Sequence, residues 1–86
     1  MNINQLIEIV KNKLSNNIIC DNIEVEDKTF LHKSHKSHDK NKFHIKLIIK
    51  SDYLRNKSKI ESTKEIYKIL EKELKDNIHS IIILIN

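Results

Sequence analysis

Residues 81–85 read Ile-Ile-Ile-Leu-Ile, the densest apolar run in the chain, and they follow directly on a long charged helical pattern. A short run rich in β-branched residues is the composition of a buried strand. It falls far short of the roughly 20 apolar residues a membrane span needs. A strand must find partners for its backbone groups. Phe43, Ile45, Leu47 and Ile49 alternate with His44, Lys46, Ile48 and Lys50, which marks 43–50 as a second strand. Strands joined across a helix pair in parallel through a right-handed crossover. The end of the chain therefore predicts a βαβ unit, with strands at 43–50 and 78–85.

The remaining pattern supplies what covers that sheet. Ile3, Leu6, Ile7, Val10 and Leu14 recur at spacings of three and four, so 3–15 reads as an amphipathic helix ended by Ser15-Asn16-Asn17. Ile23-Glu24-Val25-Glu26 alternates and predicts a half-buried strand over 22–28, closed near Asp27. Phe30 to Lys42 is polar and His/Lys-rich, and reads as a loop. Ser51 to Arg55 fits one short helical turn. Ser58-Lys59-Ile60-Glu61 is a capping box opening a helix over 58–76. Its inward side is expected to carry Ile60, Tyr67, Leu70 and Leu74, with Ile66 and Ile69 beside them. The predicted order is α-β-β-(short α)-α-β, a single α+β domain over residues 1–86. Its sheet has three strands and is mixed, the first pair antiparallel. Both helices should lie on one face, because the apolar material suffices only for a two-layer core.

The chain has 86 residues, a net charge of +4 and a single cysteine, Cys20. One cysteine excludes an internal disulfide and fits a reducing, cytoplasmic compartment. Met1-Asn2-Ile3-Asn4-Gln5 lacks the basic and apolar regions of a signal peptide, and neither it nor any other segment predicts membrane attachment. The chain has no glycine and no proline. Its wealth of Ile, Lys and Asn reads as codon bias in an AT-rich genome, so much of the lysine excess is compositional. No glycine-rich phosphate loop, nucleophile–base set or pocketed carboxylate pair stands out, so no enzyme is expected.

The imidazoles are the chemistry-bearing residues. His79 stands at the entrance of the last strand; His32, His35 and His38 stand in the polar stretch. Neutral imidazole is a good ligand for iron and zinc. A fixed histidine at a strand edge, met by histidines on a loop, makes a soft-metal or cluster site. The plainer reading is a structural His79 and solvated loop histidines. Lys57, Lys59, Lys64 and Lys68, with Lys72 and Lys75, line the main helix and offer a salt-sensitive approach to phosphates. Glu61, Glu65, Glu71 and Glu73 are interleaved with them, the pattern of an ordinary solvated face. Cys20 reads as a small edge hydrophobe.

Several fixed points recur together: Val25-x-Asp27-x-Thr29, His32-x-x-His35, Phe43-x-Ile45, Ser51, Lys57-Ser58, Ile60, Ile66-Tyr67 and Ile78-His79-Ser80. In their spacing and element order, over about residues 3–85, the chain resembles the BolA family. The resemblance implies a fold like a type II KH domain. It also implies partnership with monothiol glutaredoxins and a bridging 2Fe–2S cluster that takes ligands from both proteins. His79 matches the family's histidine ligand and His35 best matches its loop ligand, with His32 or His38 as substitutes. No cluster is expected in the isolated chain, and the free chain is expected to be monomeric. Some members bind DNA and regulate transcription, which makes a nucleic-acid-binding regulator the alternative reading. Many members carry Arg-His-Arg where this chain has Ser62-Thr63-Lys64, so DNA binding is expected to be weak. A Gly-x-x-Gly clamp of the kind true KH domains use is impossible without glycine.

Overall fold

The computed structural model describes residues 1–29 and 42–86. In chain order it contains α1 (Ile3–Asn17), β1 (Asn22–Asp27), β2 (Phe43–Lys50), α2 (Asp52–Arg55), α3 (Lys59–Ile69), α4 (Glu71–Asp76) and β3 (Ile78–Ile85). The sheet order is β1-β2-β3, with β1 antiparallel and β3 parallel to β2. This is the predicted α+β topology, with β2 and β3 parallel and joined through helices. The loop expected at 31–41 lies outside the described residues.

α1 begins with a capping box that the hydropathy pattern does not reveal. Asn2 Oδ1 accepts from the Gln5 N–H at 2.8 Å, and Gln5 Oε1 accepts from the Asn2 N–H at 2.9 Å. The helix runs two residues past its expected end, where Asn17 Nδ2 donates to the Lys13 carbonyl. Leu6, Val10 and Leu14 form its buried face, one turn apart, and pack into a single core with Ile45, Leu47, Ile49, Leu54, Ile66, Leu70 and Ile78. Ile81, Ile83 and Ile85 flank that core. Ser51 ties two connections to it: its hydroxyl donates to the Ile19 carbonyl at 2.7 Å and accepts from the Leu54 N–H at 3.2 Å.

The helix expected over 58–76 is two helices, broken at Leu70, where φ is −97° and ψ 16°. Ser58 caps α3 as predicted, accepting from the Glu61 N–H at 3.1 Å. The inward face, however, is rotated from the expected one. It carries Ser62, Ile66, Leu70 and Glu73, whereas Ile60 is 69% and Tyr67 44% exposed. The reason lies in two polar residues that hydropathy places outside. The Ser62 hydroxyl donates to the Leu54 carbonyl at 2.7 Å, satisfying a group at the end of α2 and letting the two helices approach closely. Glu73 is buried against α1, with the Lys13 ammonium 2.8 and 2.9 Å from its two carboxylate oxygens.

That ion pair joins the two helices across the top of the core. Lys13→Ala leaves a buried carboxylate without its partner. It is expected to cost about 1–3 kcal/mol in a denaturant titration, less than a deeply buried pair because the Lys13 side is open to water. Stability within about 0.3 kcal/mol of the parent would show the pair to be a surface contact only.

Cys20 is half-buried, as expected of a small edge hydrophobe. Burial, and then the neighbouring Asp21 carboxylate, push its thiol above the ordinary value, which keeps it in the unreactive protonated form. Among the described residues no helix is long and apolar enough to cross a membrane.

Candidate functional site

β2 and β3 run in parallel, so their first residues lie side by side. The register passes from Phe43↔Ile78 to His44↔Ser80, leaving His79 as an extra residue on β3. This is a β-bulge, and it has a packing cause. Ile81, Ile83 and Ile85 alternate toward the core, and strict alternation from them turns Ile78 outward. The extra residue resets the phase. Ile78 returns to the core at 3% exposure, and His79 and Ser80 both stand exposed in succession. The bulge thus aims the His79 imidazole into solvent from a rigid strand.

A second histidine supports it. His44 is only 6% exposed, and its Nδ1 lies 2.6 Å from the Ser80 hydroxyl. The His44 and His79 ring centroids are 4.8 Å apart with planes tilted by 45°. The His44 backbone is held as well: its N–H donates to Thr29 Oγ1 at 3.2 Å and its carbonyl accepts from the Lys28 N–H at 2.7 Å. Thr29 in turn donates its N–H to Asp27 Oδ1 at 2.9 Å. The chain therefore leaves β1 right beside the paired imidazoles and re-enters the sheet there at Phe43. His32, His35 and His38 belong to the segment between those two anchors and lie outside the described residues.

His79 is the exposed donor that the sequence singles out; His44 is the residue that sequence reasoning passed over. The signal was present. Both are the second residue of their strand, and parallel pairing brings such positions together. The alternation in β2 assigns His44 to the outward face, which reads as solvated until the bulge and Ser80 cover it. Among the described residues no group of three His, Cys, Asp or Glu side chains is arranged to hold a metal. A metal on His79 therefore needs ligands from the intervening segment or from another molecule.

The lysines meet different surroundings. Lys57 Nζ is 3.1 Å from Glu65 Oε1 and sits 4.5 Å from the centre of the Tyr53 ring. Hydrogen bonds to Tyr53 and then to Glu65 raise its pKa, so it remains charged but already engaged. Lys59, Lys64 and Lys68 are exposed. Ser62 is buried, so this position points into the core and offers no charge to a ligand.

A family model described as BolA-like protein matches residues 14–85. The chain belongs to the BolA-like family. Its backbone is similar to the BolA domain of SufE1 from Arabidopsis thaliana, with 28% sequence identity and a TM-score of 0.82 over 99% of this chain and 94% of that one. It is also similar to BolA1 from Arabidopsis thaliana, at 19% identity and a TM-score of 0.78 over 93% and 88% of the two chains. The solution structure of BolA1 from Mus musculus matches at 15% identity and a TM-score of 0.74, over 92% of this chain and 62% of that one. No curated protein matches by sequence. The architecture of this BolA-like chain is thus the one its fixed points implied. The structural match to the SufE1 domain takes in α1, most of which precedes the family-model match.

Proposed function

We propose that this BolA-like chain is a cytoplasmic adaptor, not an enzyme, that binds a monothiol glutaredoxin and shares a bridging 2Fe–2S cluster with it in iron–sulfur trafficking or iron and redox regulation. The observation that supports this reading is the bulge that presents His79 to solvent with His44 behind it. A cluster-binding surface needs a donor that is exposed to the partner yet held in place. His79 is exposed, and its neighbours His44 and Ser80 are hydrogen-bonded to each other. Imidazole suits the group: in Rieske-type centres two histidines replace two cysteines on one iron. His79 supplies one imidazole and His35 the second, with His32 or His38 as substitutes. The shared cluster brings one-electron redox chemistry and a transferable unit of iron and sulfide. The chain's own residues bind and orient.

The test is a titration of the chain into a cluster-loaded monothiol glutaredoxin, followed by visible absorption and circular dichroism. A new spectrum that saturates near equimolar ratio is expected, because a histidine ligand changes the charge-transfer bands of the iron it joins. Spectra that merely add, at all ratios, would end the proposal. Nucleic acid is the weaker reading, since Lys57 is already paired and Ser62 is buried. A mobility shift at two salt concentrations should show only weak, sequence-indifferent binding that salt abolishes.

A further inference from the structure

The two edges of the sheet are guarded differently. β1 carries Glu24, Glu26 and Asp27, charges of the kind that protect an edge from unwanted pairing. β3 carries no charged residue from Ser80 to Asn86, and no strand among the described residues pairs with its outer side. Its backbone direction follows from the residue just after it. The Asn86 N–H donates to the Ile49 carbonyl at 2.8 Å, and the Asn86 carbonyl accepts from the Ser51 N–H at 3.0 Å. Asn86 therefore turns its backbone groups toward β2. Successive residues of a strand alternate in this respect, so Ile85, Ile83 and Ile81 turn theirs to the open edge.

A groove of about 270 Å³ runs beside that edge. Leu54, Ile83, Leu84 and Ile85 give it apolar walls, and Arg55, Lys57 and Lys59 supply its charge. Among the described residues no carboxylate lines it. Asp52 pairs with Arg55, and Glu65 pairs with Lys57. Lys59 has no carboxylate partner among the described residues, and its charge is open to a ligand.

We infer that the β3 edge and this groove accept an extended acidic peptide segment, which adds a fourth strand to the sheet. The open amides and carbonyls of Ile81, Ile83 and Ile85 supply main-chain hydrogen bonds, the usual source of affinity in strand addition. Aliphatic side chains of the segment fill the apolar part of the groove. Its carboxylates meet Lys59, the groove cation with no carboxylate partner among the described residues, and this charge match selects an acidic peptide over a neutral or basic one. Nucleic acid fits the charge but not the rest: among the described residues no aromatic side chain lines the groove to stack a base. The groove lies at the far end of β3 from His79, and neither it nor the peptide test depends on the glutaredoxin reading.

The test uses the full chain and a fluorescein-labelled, acetylated hexapeptide of alternating Glu and Val. Saturable anisotropy is expected, together with slowed amide exchange confined to alternate β3 positions, Ile81, Ile83 and Ile85. Lys59→Glu, a change at an exposed position, should weaken binding about threefold to tenfold. Three results would each overturn the inference: equal binding of the matching Lys–Val hexapeptide, tighter binding of a single-stranded oligonucleotide in the groove, or peptide binding that leaves those three amides unprotected.

Discussion

Ile66→Ala is expected to cost about 2–5 kcal/mol, and Tyr67→Ala, one residue along the same helix, less than about 1 kcal/mol. Ile66 is fully buried where α3 meets the core, and truncating it leaves a cavity among Leu54, Leu70 and the sheet residues that the surrounding backbone cannot close. Tyr67 is 44% exposed, and no core side chain depends on its ring. Domains of this size have about 5–15 kcal/mol of stability in total. The first change should thus remove a large share of it and the second almost none. Chemical denaturation of both variants decides the helix register. Equal losses, or the larger loss at Tyr67, would mean that the inward face is the one the hydropathy pattern draws.

His79→Ala should abolish the shared-cluster spectrum with a monothiol glutaredoxin while leaving the far-UV circular dichroism and the unfolding midpoint nearly unchanged. The imidazole is exposed, so its loss opens no cavity, and the bulge is set by Ile78 and Ile81, which remain. His35→Ala should weaken the spectrum without abolishing it, since His32 and His38 stand three residues away on either side. Ser80→Ala breaks the hydrogen bond that steadies His44 without touching a ligand, and should lower cluster affinity more modestly. An unchanged spectrum in His79→Ala would refute the assignment of that residue. An unfolded His79→Ala variant would show that its role is structural.

The strands, the crossover and α1 were legible in the sequence because each is encoded by neighbours. Ile45, Leu47 and Ile49 alternate, Leu6, Val10 and Leu14 recur by the turn, and Ser58 sits three residues before Glu61. Periodicity of that kind records which side of an element meets the core, so the topology followed from it. His79 was legible as well, since it interrupts an apolar strand at its start. Three things were decided only by the tertiary structure, the first two for one reason: a polar residue can be stable inside when a partner distant in the chain satisfies it. Ser62 meets the Leu54 carbonyl and Glu73 meets Lys13, and together they rotate the face of the main helix away from Ile60 and Tyr67. His44 meets Ser80 across the parallel pair and so becomes a buried support for His79 rather than a solvated strand residue. The bulge completes the set. No local rule places it, because it arises only when Ile78 and Ile81, out of phase in sequence, must face the same core.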